Sequence, residues 1–133
     1  MPLRCKFRSI AAGVILSLAS TPALAAPERF EIDPDHTTLG FWVMHIGYAR
    51  TWGQFTEVSG SFVYDADAQA LSDLSVTVPT ASVSTHHEAR DGHVRNQDFL
   101  DATEHPQMTF TANGGEVTGE GTGTVTGDLT LLG

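Results

Sequence analysis

The feature that most constrains the fold is an alternating run at residues 38–45, which reads TLGFWVMH. Successive side chains of a strand point to opposite faces, so this run predicts a strand with two distinct surfaces. One face would carry Leu39, Phe41, Val43 and His45. The other would carry Gly40, Trp42 and Met44. Both faces hold large apolar side chains, which indicates that neither is a simple solvent-facing surface.

Most of the remaining chain also has β character. Short apolar or alternating runs lie at residues 61–64, 74–78, 108–111 and 128–132. Pro79 would end the second run, because proline cannot continue a central strand. The total is six or seven short antiparallel strands, which is typical of a β-sandwich or a β-barrel.

Two segments need separate interpretation. Residues 114–127 are rich in Gly and Thr, and Val117 and Val125 flank their middle, so we expect two short strands joined by a tight turn at 119–121. Residues 88–99 have no period-two pattern and predict a short helix or helical loop.

The start of this helical segment resembles a capping box. Thr85 would be its N-cap, and Glu88 lies three residues further along. A turn at residues 101–106 would lead into the next strand.

The N-terminus has the composition of a secretory signal peptide. Three basic residues precede a short apolar run at 10–18, and an A-x-A site follows at 23–25. We expect residues 1–25 to be removed by cleavage before Ala26, leaving one domain at 26–133 and no stable membrane insertion. Cys5 would leave with the leader, so the mature chain would have no disulfide.

Charge excludes some classes of partner. With the three basic leader residues removed, four Arg remain against 16 acidic residues, a formal charge of −12. Nucleic acids and anionic membrane surfaces are therefore poor partners.

A histidine-rich stretch at 86–110 raises the hypothesis of a metal-dependent hydrolase. The zincin pattern fails, because Asp91 stands where the second histidine after His87 would be. His86, His87 and His93 could still bind zinc from scattered positions together with carboxylates. The simpler interpretation is a solvated surface.

Other polar residues also have two interpretations. His45 ends the strand on the face of Phe41, so it would either bond to backbone at a rim or contact a ligand at the mouth of an apolar cavity. Arg90 and Arg95 would either pair with nearby carboxylates or bind an anionic ligand group. The aromatic residues Phe55 and Phe110 would be core or cavity wall.

Several motifs in order resemble the YceI-like family of periplasmic polyisoprenoid- or lipid-binding proteins. They begin with DPDHTTLGFWVMH at 33–45 and a G-x-F step at 53–55, and a second G-x-F begins at Gly60. ASVST follows at 81–85. The most specific block is RDGHVRNQDFLDATEHPQMTF at 90–110, and GDLTLLG closes the series at 127–133.

The resemblance implies an all-β fold, an antiparallel lipocalin-like β-barrel with one short helical insertion. It also implies a long isoprenoid or other lipid held inside the barrel, with no metal and no nucleotide. The ligand-binding residues it implies are Phe41, Val43, His45, Phe55, Phe62, Arg90, Met108 and Phe110. Asp91 and Arg95 would belong to a polar lip or link the helix to the barrel.

Two departures accompany the resemblance. Leu100 stands where the family usually has a second aromatic residue. The family also continues past the strand at 127–133, so we expect the closing strands to be missing and the last strand to have an unpaired edge. Leakage of the cavity, chain swapping, a homodimer or aggregation would follow.

Three functions remain as expectations. The first is a non-catalytic periplasmic protein that sequesters or carries a long apolar lipid. The second is a metal-dependent hydrolase that uses the His86–His93 cluster. The third is a stress-response partner protein with a filled core.

Overall fold

A computed structural model describes residues 26–133, so the expected signal peptide lies outside the described residues. This part of the chain contains ten short strands and one α-helix. The strands before the helix are β1 (Glu28–Glu31), β2 (Leu39–His45), β3 (Ala49–Phe55), β4 (Ser59–Asp65), β5 (Ala70–Pro79) and β6 (Val83–Ser84). A 3-10 turn at Thr80–Ser82 separates β5 from β6. The helix α1 (Glu88–Arg95) is followed by β7 (Gln107–Ala112), β8 (Gly115–Gly119), β9 (Thr122–Val125) and β10 (Asp128–Thr130).

All strand pairs are antiparallel, which confirms the predicted all-β class with one helical insertion. One sheet has the order β1-β4-β5-β7-β10, a second has β2-β3-β6, and β8 pairs with β9. The arrangement is that of a lipocalin-like barrel whose sheets, over residues 26–133, do not close on one another.

The five-stranded sheet has one continuous apolar face. Val76 of β5 pairs with Phe110 of β7, and Phe110 pairs in turn with Leu129 of β10. Directly opposed residues share a face, so these three side chains form a row across the sheet. Val78 and Met108 form the next pair on the same face. We refer to this surface as the inner face.

The hydrophobic core lies at one end of the molecule. Phe55, Val58, Val78 and Val83 are each at most 8% exposed. Phe41 and Met108 pack against them from the two sheets, and Val94 of α1 and Leu100 pack from the helical insertion. The helical insertion therefore covers this end of the core.

The β2–β3 hairpin has a tight turn at Ile46 and Gly47. Both residues have positive φ, 43° and 79°, as a type I′ hairpin turn requires, and the Tyr48 amide donates to the His45 carbonyl at 3.0 Å. Gly47 adopts this conformation without penalty, whereas a β-branched isoleucine does not.

Several element predictions need correction. Residues 26–133 contain ten strands rather than six or seven, since β1, β3 and β6 were not predicted. The strand predicted from Leu74 begins at Ala70, because a bulge between its pairings with Ser61 and Val63 breaks the alternation. The hairpin predicted within 114–127 is confirmed as β8 and β9.

The capping box is wrong in detail. His87, not Thr85, is the N-cap of α1, and its Nδ1 accepts from the Arg90 amide at 3.3 Å. The Thr85 hydroxyl instead donates to the Asp91 carboxylate.

No helix within residues 26–133 is long and apolar enough to span a membrane.

Candidate functional site

Three of the predicted ligand-binding residues meet at the core end. The rings of Phe41 and Phe55 lie 5.6 Å apart, on the face of β2 and β3 that turns toward the five-stranded sheet. Met108 approaches the same cluster from β7. These side chains close this end of the space between the sheets.

Two others lie further along the inner face. Phe62 of β4 stacks on Phe30 of β1, with ring centroids 5.4 Å apart and an interplanar angle of 18°. Phe110 of β7 lies between Val76 and Leu129 in the row across the sheet. Both phenylalanines are half-buried, so each retains apolar surface toward the space in front of the sheet.

The remaining residues of the predicted set are more exposed. Val43 lies on the same face of β2 as Phe41 and is 52% exposed. His45 ends β2 at the hairpin turn and is exposed. Arg90 is on α1, next to β6, and is not part of the apolar surface.

The Arg90 side chain links the helix to Thr85, the residue that follows β6. Its Nε donates to the Thr85 hydroxyl and its Nη2 to the Thr85 carbonyl, each at 2.7 Å. Arg95 donates to the Asp91 carbonyl at 3.1 Å and to the Glu88 carboxylate at 3.2 Å. Within residues 26–133, the carboxylate that forms an ion pair with Arg95 is that of Glu88.

Asp91 is the centre of this link. It is 5% exposed, and its Oδ1 accepts from both the amide and the hydroxyl of Thr85. Burial alone would raise the pKa of the carboxyl, but the hydrogen bonds from Thr85 and the charges of Arg95 and Arg90 outweigh burial and lower the pKa below its usual value. The group is therefore a stable buried anion, and its contacts are internal to the fold.

The histidines of the 86–110 stretch do not converge. His87 caps α1, and His93 lies edge-on to Phe99, with centroids 4.9 Å apart, and 3.5 Å from the Asp98 carboxylate. Over residues 26–133, no group of three or more His, Cys, Asp or Glu side chains is placed to hold a metal ion. The geometry gives no support to the metal-dependent alternative.

A groove that the sequence did not predict opens beside the β8–β9 hairpin. It has a volume of about 710 Å³ and is lined by Tyr64 and Leu71 on one side and by Val117 and Val125 on the other. From the sequence, Val117 and Val125 predicted the two strands of this hairpin but gave no indication of a groove beside it. The rest of the lining is mostly Gly and Thr of the hairpin, together with Gln69, Glu116 and Glu120.

Comparisons with known proteins agree on one family. A family model described as the YceI-like domain matches residues 30–133. A UPF0312 protein of Ectopseudomonas mendocina (strain ymp) is 40% identical over 117 residues, 88% of this chain and 61% of the relative. Protein YceI of Shigella flexneri is 36% identical over 118 residues, 89% of this chain and 61% of the relative. The chain thus spans about 60% of the length of these curated relatives.

Solved structures show the same architecture. Burkholderia cenocepacia BcnA matches with a TM-score of 0.68 at 25% identity, over 75% of this chain and 62% of BcnA. The Campylobacter jejuni YCEI protein matches with a TM-score of 0.59 at 35% identity, over 75% of this chain and 58% of that protein.

Proposed function

Because the chain belongs to the YceI-like family, we propose that it is a non-catalytic binding protein for a long apolar lipid of isoprenoid or fatty-acyl type. The lipid lies along the inner face, between the five-stranded sheet and the β2–β3 hairpin. Phe41, Phe55 and Met108 close one end of this space.

The observation that supports the proposal is the uneven burial of the apolar faces. The core is filled at the α1 end, whereas Val43 and Leu129 on the inward-facing surfaces are 52% and 62% exposed. Apolar surface that faces inward and is left uncovered indicates a ligand rather than a completed core.

An acyl or isoprenoid chain gains binding free energy simply by leaving water. Each buried CH₂ contributes about 0.8 kcal/mol, so a chain of roughly ten buried carbons can bind without a strong polar anchor. His45 lies at the end of β2 opposite the core, so in this proposal it contacts the head group at the open end.

The expected leader at residues 1–25 supports a periplasmic location, where such a lipid would be sequestered or carried between membranes. Western blotting of cell fractions, with a size change on export, tests this part separately.

The binding proposal is tested by native mass spectrometry of the purified protein, followed by solvent extraction and analysis of the released molecule. We expect one hydrophobic adduct per chain. Val43→Glu places a charge among the inward-facing residues and should abolish the adduct. Phe99→Glu is the matched control, because Phe99 is also 52% exposed but lies in the helical insertion, and it should retain the adduct.

Two outcomes would favour the other hypotheses. A bare protein mass under native conditions, with no extractable lipid, would favour a partner protein that holds no cargo. Stoichiometric zinc that survives dialysis, with a hydrolytic activity lost on chelation, would favour the metal-dependent alternative.

A further inference from the structure

We propose that the outer face of the β2–β3 hairpin docks on a phospholipid bilayer. Its apolar residues form what we call the aromatic face, and they are Trp42, Met44, Ile46, Tyr48 and Trp52. Trp42, Ile46 and Tyr48 are 61%, 75% and 90% exposed, so the face continues over the tip of the hairpin.

The fold does not use this face for its core. Phe41 and Phe55, on the opposite face of the hairpin, pack inward. Trp42 and Trp52 are directly opposed in register and contact each other, with ring centroids 5.2 Å apart. The Trp52 ring also covers Gly40, where an added Cβ would lie 2.0 Å from the ring. The two indole rings therefore already lie together as one apolar surface that faces solvent.

The hairpin tip holds an apolar residue at a conformational cost. Ile46 has φ of 43°, a left-handed conformation that is unfavourable for an L-residue with a β-branched side chain. Asn at this position would suit a type I′ turn far better. The isoleucine side chain is 75% exposed and so recovers little of this cost by packing. Contact of the tip with an apolar phase outside the protein would recover it.

The charge distribution also suits a phospholipid surface. The chain has 16 Asp and Glu, yet residues 37–56 contain none. Arg50 is directly opposed to Met44 and is exposed. The side chains of Arg29, Arg90 and Arg95 make hydrogen bonds, whereas the side chain of Arg50 makes no hydrogen bond or ion pair with any residue of 26–133. Its guanidinium is free to bind a lipid phosphate.

These features together indicate a bilayer interface rather than its interior. Trp and Tyr are amphipathic and collect at the head-group level of membranes. The backbone of β2 pairs with β3 on one side only, so the outward amides and carbonyls of the hairpin need water or lipid head groups as partners, which the interface supplies and the bilayer interior does not. An acidic protein is held off an anionic surface, but its carboxylate-free hairpin can approach zwitterionic lipid.

Co-sedimentation with sucrose-loaded phosphatidylcholine vesicles tests the proposal, using protein first stripped of any bound lipid. We expect the protein to pellet with the vesicles. Both Trp residues of the chain belong to the aromatic face, so its emission should shift to the blue and be quenched by lipids brominated on the acyl chains.

Two variants separate docking from folding. Met44→Glu and Ile46→Asn should each lower the vesicle partition coefficient about tenfold, the loss expected from one buried apolar side chain. Ile46→Asn should do so while raising the thermal midpoint, because it relieves the strained turn. Phe99→Glu, which adds the same charge at a similarly exposed site outside the hairpin, should pellet like the wild type.

Three results would overturn the proposal. The first is that the wild-type protein does not pellet with the vesicles, and the second is that the variants pellet as well as the wild type. The third is that Trp emission shifts to the blue when the protein concentration alone is raised, which would show that a second copy of the chain covers the aromatic face. The test does not depend on a lipid in the inner space, so the two proposals fail separately.

Discussion

At the residue scale, the most informative group is Asp91. Its environment was not visible in sequence, where Thr85 and Glu88 matched a capping box. The spacing of a motif does not determine which acceptor a hydroxyl group will bind. In this protein the Thr85 hydroxyl donates to the Asp91 carboxylate, and His87 is the N-cap of the helix. Alternation placed Phe41 and Trp42 on opposite faces of one strand, but it did not show which face is buried: the face of Trp42 and Met44, expected not to be a simple solvent-facing surface, is exposed.

We expect Asp91→Ala to lower the free energy of unfolding by about 2–3 kcal/mol, since it leaves the Thr85 amide and hydroxyl without their buried acceptor and removes the negative charge that faces Arg95 and Arg90. Urea unfolding followed by circular dichroism measures the change. Asp98→Ala is the control: Asp98 is an exposed partner of His93 and should cost less than about 1 kcal/mol. Equal losses in the two variants would show that the buried link contributes no more than a surface pair.

The stabilising contribution of Asp91 should depend on pH. Its pKa in the folded protein lies below the unfolded value of roughly 3.9. The contribution is therefore fully present at neutral pH and is lost as the pH falls through the folded-state pKa. The difference in unfolding free energy between wild type and Asp91→Ala should stay constant down to about pH 5 and shrink below it. A difference that widens on acidification would contradict this assignment.

At the element scale, alternation located the strands with a clean apolar period and missed the others. β3 places glycine and threonine at positions that face inward, so its pattern is weak in sequence. The structure explains this weakness, since the Phe41 ring lies over Gly53 of β3, just as the Trp52 ring lies over Gly40 of β2. A glycine under an aromatic ring carries no hydrophobic signal of its own.

The two covered glycines should respond differently to a methyl group. A Cβ at Gly53 would lie 2.3 Å from the Phe41 ring, which packs against the core, so Gly53→Ala should cost about 1–3 kcal/mol through overpacking. A Cβ at Gly40 would lie 2.0 Å from the Trp52 ring, which is 36% exposed and can move outward. Gly40→Ala should therefore change stability by less than about 1 kcal/mol. Thermal unfolding of both variants is the measurement, and the reverse order of costs would contradict the packing described.

At the scale of the whole molecule, the sequence predicted the barrel class but not the arrangement of its sheets. Which strands pair depends on contacts far apart in the chain, such as β1 with β4 and β5 with β7, and local patterns do not encode them. The candidate site has the same limit. Alternation groups the apolar positions of each strand, but only the fold shows that Phe41 packs against the buried core cluster whereas Phe62 and Phe110 lie along the inner face away from it.

Self-association is the expected behaviour of the whole molecule. β10 ends the five-stranded sheet, with β7 as its neighbour on one side, and Leu129 on it is 62% exposed. An open strand edge offers amides and carbonyls to another chain. We expect concentration-dependent association in sedimentation equilibrium, weakened by Leu129→Lys and unaffected by Phe99→Lys. A wild-type protein that remains a monomer at all concentrations would count against this edge as an interface.

The one-sided core has a consequence for how the molecule opens. The buried residues cluster near α1, whereas residues 116–133 are all exposed. Amide hydrogens of β3 and β5 should then exchange with solvent only on global unfolding, and those of β8 to β10 through frequent local opening. The end of the molecule near α1 would stay folded while the end formed by residues 116–133 opens locally. If the protein binds a long apolar lipid as proposed, the lipid would enter and leave through the end formed by residues 116–133 while the end near α1 stays folded, so ligand exchange would not require the free energy of unfolding the whole protein.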